Sequence, residues 1–265
     1  MNQALPFLKF NETEILAFAL VLLRVSAFLV TWPVFSVFNV PQPLKILLAI
    51  CISMVLFPVV SRTGLGNLGA AQGLGQDICW LALKEVLVGV ILGFLTRLFF
   101  FAIACGGNLI ATSAGLANAQ LFNPAMGATT TTVETFYVSI GTLLFLGLNG
   151  HHVFLTGLAQ SFDAIPLSAG IDIAVFKDSG MILQTVVEAG IKIAAPVMVA
   201  IFFMNAAMGI IGRAIPQINV LVTGQAVNFM TAIIVMIVAL PALMLELDHQ
   251  MLSFADLVFR FMKAM

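Results

Sequence analysis

The sequence predicts an all-α, multi-pass membrane protein with about six long apolar helical elements. Composition is the first reason. Of 265 residues, 61% are hydrophobic and only 9% are charged, and the mean hydropathy is +1.12. A soluble globular domain carries about 25% charged residues, so this chain has too few to cover a water-facing surface. The second reason is spacing: apolar runs recur at the length of about 20 residues that a bilayer core requires. Net charge is −1, and the Lys/Arg clustering that nucleic acid binding needs is absent, so no nucleic-acid partner is expected.

Met1 to Glu14 is a short polar lead, and Ile15 to Phe35 is the first span. No cleavable leader is expected, because this run is long, contains Arg24 and follows Glu12 and Glu14 rather than a basic region. A charge at bilayer centre costs at least about 2.5–3.5 kcal/mol, so Arg24 should face protein or water. It either lines a conduit or is paired structurally inside a bundle. Pro41 and Pro43 mark a short connection, and Lys45 opens a second apolar run to Val60. Arg62 to Gly75 is a glycine-rich loop in which Gly64, Gly66 and Gly69 satisfy G-x-G-x-x-G. That fingerprint needs a preceding strand and a βαβ unit, and spans flank it here, so it carries no dinucleotide site.

Ile78 to Cys105 is longer than a span needs. Its Lys84 and Glu85 are adjacent and are not expected to face one another on a helix. Gly89 and Gly93 form a small-xxx-small face that admits a close neighbour. Gly106 to Thr132 then forms a loop without charge, inside an uncharged run from after Arg97 to Glu134. Glycine, asparagine, serine and threonine are spread through it, with a turn signal at Asn123-Pro124. A loop in bulk water would carry charge, and a lipid-facing span would not carry so many hydrogen-bonding groups. Irregular backbone at membrane depth is tolerated where it is buried in protein or lines an aqueous cavity, so this loop is expected in a conduit.

Val133 to Leu148 is the fourth apolar element, followed by a turn at Asn149-Gly150-His151-His152 and a further apolar piece to Phe162. Neighbouring histidines diverge on a helix and lack a third ligand at useful spacing, so no metal site is expected. Asp163 to Gly180 has ordinary water-exposed composition. Met181 to Gly212 and Val220 to Leu245 form a hairpin of spans around the polar link Arg213 to Asn219. Glu188 and Lys192 are an i,i+4 pair in the first arm, where each offsets the other's burial. Leu247 to Met265 is a mixed tail, expected as a short interfacial helix. Cys51, Cys79 and Cys105 have neither metal nor redox spacing and are expected as small core residues.

Taken in order, these stretches resemble the FliR family, the R subunit of the flagellar type III export gate, and its virulence-secretion counterparts. The residues that carry the resemblance run along nearly the whole chain: Arg24 and Pro33, then Pro41 and Lys45, then Glu85 with Gly89, Gly93 and Phe94. Asn123-Pro124 follows, then Leu148 to His151, Ile165-Pro166 and, most specifically, the run from Arg213 to Val220. Ala226 departs from the pattern, since many relatives have proline there.

The resemblance implies a single export-gate membrane domain over 1–265, without a cofactor, in the bacterial inner membrane at the flagellar basal body. Its 1–180 part would be like a P-type subunit and its 181–265 part like a Q-type hairpin. The partners implied are P-type and Q-type gate subunits, the B-type export-switch subunit, unfolded export substrates and membrane lipid. The uncharged loop would project into the channel as a plug. Its neutrality avoids strong binding of acidic or basic cargo, and Gly106, Gly107, Gly115 and Gly127 supply flexibility. Gly115, Leu116, Ala117, Leu121, Phe122, Asn123, Pro124 and Met126 are the plug residues expected. Arg213, Pro216, Gln217 and Asn219 would lie at the cytoplasmic entrance near the B-type subunit. This places both termini on the periplasmic side, whereas the positive-inside count over Lys9, Arg62, Lys177, Arg260 and Lys263 places the N-terminus in the cytoplasm.

Two rival functions stand beside this one. A secondary transporter would use Arg24, Lys84, Glu85, Glu188 and Lys192 as an intramembrane charge relay, although the two halves show no repeat. A membrane enzyme lacks support, because neither a nucleophile–base constellation nor an HExxH-type site is present.

Overall fold

Among the described residues every regular element is a helix and no strand occurs. The computed structural model describes residues 12–37, 40–64, 75–116, 132–167, 179–217 and 219–264. The helices are α1 (Glu12–Thr31), α2 (Val34–Val37), α3 (Gln42–Gly64) and α4 (Gly75–Ser113). They continue with α5 (Thr132–Gly147), α6 (Gly150–Ala164), α7 (Ser179–Ala214) and α8 (Val220–Ala264). Helices α1, α3, α4, α7 and α8 are each long and apolar enough to cross a membrane, and α5 with α6 passes as one broken span. The chain is therefore a multi-pass membrane protein. At about 1.5 Å per residue, the 45 residues of α8 extend roughly 65 Å, about twice the hydrocarbon core. Such a helix must tilt strongly or project from the bilayer.

The structure corrects several boundaries. Gly106 to Ser113 are the last turns of α4, not the opening of a loop. A Cβ on Gly106 would meet Ile193 on α7, and one on Gly107 would meet the Glu134 backbone and Tyr137 on α5. These glycines permit close helix contact rather than flexibility. Leu247 to Ala264 is the continuation of α8, not a separate interfacial helix; its mixed composition hid an uninterrupted helical run. His151 and His152 lie in the first turn of α6. The chain bends at Asn149 instead, by 70° between the two helices, and the φ of 58° there is a left-handed conformation that asparagine tolerates. Cys51 and Cys79 are exposed and Cys105 is half-buried, because the outward face of a membrane helix is itself apolar.

The chain forms two compact units. The first comprises Met1–Arg97, His151–Asp178 and Ala255–Met265. Here α1 lies directly on α4. A Cβ on Gly89 would strike the Arg24 carbonyl, and one on Gly93 would strike Thr31 Oγ1 and the Phe28 carbonyl. The small-xxx-small spacing thus brings the two backbones together. Helix α3 joins α1 through an edge-to-face contact of Phe18 and Phe57, with ring centroids 5.7 Å apart.

The second unit comprises Leu98–Gly150 and Ser179–Phe254. Phe99, Phe100, Phe145 and Phe254 make a buried aromatic cluster, with centroid separations of 5.1 Å for Phe100–Phe145 and 5.9 Å for Phe99–Phe254. Gly190 on α7 lies against the Ala102 carbonyl and Cys105 of α4, reciprocating the contact at Gly106.

Candidate functional site

In the first compact unit, the buried charges converge on one point. Arg24 of α1 and Glu85 of α4 are completely buried, and Lys84 is 3% exposed. The guanidinium meets the carboxylate side-on, Nε donating to Oε2 at 2.6 Å and Nη2 to Oε1 at 3.0 Å. Nη1 donates to the Ser161 carbonyl at 2.9 Å and to Ser161 Oγ at 3.1 Å, and Nη2 also donates to the Ile165 carbonyl at 2.9 Å. Every N–H of the arginine is therefore engaged, and its Cζ lies 4.1 Å from the centroid of the Phe162 ring.

Lys84 completes the cluster. Its Nζ donates to the carbonyls of Pro166 at 3.0 Å and Leu167 at 2.7 Å, and lies 3.5 Å from Glu85 Oε1. This overturns the expectation that these adjacent residues diverge. The long lysine stem carries its ammonium back over the carboxylate while it reaches the carbonyls of Pro166 and Leu167, next in sequence to the Ile165 carbonyl that Arg24 holds.

The carbonyls have a common origin. Helix α6 ends at Ala164, and Pro166 has no N–H with which to continue the ladder. Ser161 sits in the last turn, where the helix presents the negative end of its dipole, and its carbonyl also accepts from the Ile165 N–H at 2.9 Å; Ile165, Pro166 and Leu167 follow just beyond the helix end. Arg24 and Lys84 supply cations there, and Glu85 balances one of them. The arrangement is closed: its donors are spent on holding α1, α4 and the end of α6 together. Removing one member of a buried ion pair typically costs about 3–5 kcal/mol.

In the second unit, Glu188 and Lys192 form their i,i+4 contact at 2.8 Å, with side chains 57% and 48% exposed. The structure does not bring them to a buried partner. Of the expected plug residues, Gly115 and Leu116 are described, whereas Ala117, Leu121, Phe122, Asn123, Pro124 and Met126 lie outside the described residues. Gly115 has a φ of 76°. Its N–H bonds the Thr112 carbonyl at 3.1 Å, and the Leu116 N–H bonds the Ala111 carbonyl at 2.9 Å. This is a Schellman cap, in which a left-handed glycine satisfies the last carbonyls of α4.

The link between α7 and α8 is equally ordered by local chemistry. Arg213 sits in the last turn of α7, favourable for a cation. Asn219 caps α8, its Oδ1 accepting from the Val222 N–H at 3.4 Å while its carbonyl accepts from Thr223 at 3.0 Å. Arg213, Pro216, Gln217 and Asn219 are all exposed.

Several polar residues here gave no sequence signal on their own. Ser161 contributes mainly a carbonyl, which no side-chain pattern reports. Asn228 donates through Nδ2 to Asn205 Oδ1 at 2.7 Å, across the α7–α8 hairpin. These two asparagines lie equally far on either side of the Pro216-Gln217 midpoint, so folding the hairpin on paper would have paired them. Gln225 Nε2 donates to the Gly115 carbonyl at 2.8 Å, tying α8 to the end of α4.

Residues 15–254 match the family described as Bacterial export proteins, family 1. The chain is 28% identical over 233 residues to the flagellar biosynthetic protein FliR of Bacillus subtilis (strain 168), covering 86% of this chain and 87% of that protein. It is 27% identical to the protein of the same name from Aquifex aeolicus (strain VF5), over 92% of this chain and 93% of that one. For the FliR of Pectobacterium carotovorum subsp. carotovorum the identity is 29%, over 89% and 88% respectively.

Proposed function

Since this chain belongs to the bacterial export proteins, family 1, we propose that it is a component of the flagellar export apparatus and forms part of the type III export gate. In this role it contributes to the inner-membrane channel, at the flagellar basal body, through which unfolded flagellar proteins leave the cell. The observation that carries this reading is collinear similarity to proteins named for flagellar biosynthesis along nearly the full length of both chains.

The 1–180 part acts as a P-type subunit and the 181–265 part as a Q-type hairpin, so the chain associates with P-type and Q-type subunits. The uncharged stretch within 106–132 serves as channel plug, held at its described end by the glycine cap at Gly115. The link from Arg213 to Asn219, through the exposed Arg213, Pro216, Gln217 and Asn219, docks the B-type export-switch subunit.

A coupled transporter would require the intramembrane charges to exchange partners during turnover. Arg24 is engaged at every N–H and Glu85 at both oxygens, which favours a fixed role. Expression of this chain in a flagellated bacterium lacking its own R subunit tests the function. Restored secretion of flagellar proteins is expected. Stable membrane insertion without any secretion would refute the assignment. Shortening 117–125 in the restored strain should raise ion leakage; unchanged conductance would remove the plug.

A further inference from the structure

In the first compact unit, α4 leaves one narrow side uncovered. From Trp80 to Arg97 its exposed residues are Trp80, Leu83, Leu87, Val90, Phe94 and Arg97, and no others. Successive members are alternately three and four residues apart, which is the heptad period of a helix-packing seam. The opposite side of α4 is occupied: Glu85 is bonded to Arg24, and Gly89 and Gly93 lie against the α1 backbone. A seam of this width accepts one further helix.

Arg97 closes the strip, and it does not suit lipid. The apolar run Ile78–Ser113 has 36 residues. Every stretch of about 20 residues within it, the length that a bilayer core requires, contains Arg97. A cation at that depth is costly against hydrocarbon and must face protein or water. Arg97 is exposed, and among the described residues it has neither a hydrogen bond nor an ion pair. Its neighbours on the strip are all apolar, which suits a packed helix and not an aqueous wall. A second copy of this chain is a poor match, because the strip carries no acidic residue. Two copies would set Arg97 against apolar side chains or against the other Arg97.

We infer that the Trp80–Arg97 strip of α4 seats a membrane helix of a neighbouring gate subunit, apolar at heptad spacing and carrying an aspartate or glutamate opposite Arg97. The inference rests on the gate function proposed above and adds the surface used and the chemistry of the partner. Heptad packing sets the incoming helix at a shallow crossing of about +20°. Two apolar helices can slide past one another with little change in contact. A guanidinium–carboxylate pair is bidentate and directional, so it fixes their register, as a single polar group does in a coiled coil. Lipid and a second copy of this chain are outcomes of the test.

The experiment uses this chain co-expressed with P-type and Q-type subunits. The photocrosslinker p-benzoylphenylalanine at Leu87 is expected to capture one of those subunits, within an apolar span that contains a carboxylate. Capture of lipid alone, or of a second copy of this chain, overturns the inference. Arg97→Leu should lower recovery of the complex several-fold, with Arg97→Lys recovering part of it. The unfolding temperature of the isolated chain should stay unchanged, because Arg97 holds nothing within it. Unaltered recovery of the complex, or a loss explained by an unstable isolated chain, would overturn the proposal. Charge exchange supplies a second reading that does not depend on Arg97→Leu. Arg97→Glu should abolish the complex, and replacing the captured carboxylate with arginine should restore it; no restoration would also overturn the proposal. Failure of the unaltered chain to assemble with either subunit would instead strike the gate function itself.

Discussion

The guanidinium of Arg24 and the carboxylate of Glu85 meet in two parallel hydrogen bonds, at 2.6 and 3.0 Å, with neither side chain exposed. These residues are far apart in sequence and lie on α1 and α4. Their contact fixes the two helices in one register, and the remaining N–H groups of Arg24 hold the end of α6.

Arg24→Ala is expected to destabilise the chain by about 3–5 kcal/mol, the usual cost of leaving one member of a buried pair alone. Arg24→Lys should recover only part of this, because an ammonium lacks the planar fork that serves Glu85, Ser161 and Ile165 together. Thermal unfolding of the detergent-solubilised chain measures both. An Arg24→Lys variant as stable as the parent would show that charge alone matters.

One glycine of α4 and one of α7 make opposite predictions for the same substitution. Gly93→Ala places a Cβ against Thr31 and the Phe28 carbonyl and should destabilise by about 1–3 kcal/mol through overpacking. Gly209→Ala on α7 meets nothing and should gain about 0.5–1 kcal/mol from better helix propensity. Unfolding temperatures that shift in the same direction for both variants would contradict the packing described.

The cap of α4 yields a third expectation. Gly115 adopts a φ of 76°, and an L-residue in that region costs roughly 1–2 kcal/mol. Gly115→Ala should therefore speed amide exchange over the last turn of α4, with little effect on α1 or α3. Uniform exchange across the chain in the variant would indicate that the cap is not local.

Much of this architecture was legible from composition and spacing, and the failures share a physical cause. Spans are legible because about 20 apolar residues are needed to cross a bilayer, and the Gly89/Gly93 spacing announced a close helix contact. Gly106 and Gly107 misled because glycine serves both flexibility and close approach, and only the neighbours Ile193 and Glu134 decide between them. Lys84 and Glu85 misled because helix-face arguments follow Cβ directions, whereas a lysine ammonium can swing back toward its neighbour. The carbonyls of Ile165, Pro166 and Leu167, which draw Arg24 and Lys84 together, leave no mark on side-chain pattern beyond the proline that ends the helix.

Glu188 and Lys192 test the difference between a fold-holding pair and an exposed one. Their contact is largely solvent-facing in the single chain, and exposed pairs contribute little to stability. Glu188→Gln should leave the unfolding of the isolated chain unchanged, in contrast to Arg24→Ala. A clear loss of stability would mean that this pair also organises the fold.

In the function proposed above, this chain works as one subunit of an export gate rather than alone. Co-expression with P-type and Q-type subunits, purification in mild detergent and native mass measurement address it most directly. A single large complex containing one copy of this chain is expected. A well-behaved monomer or homodimer that ignores both partners would contradict it.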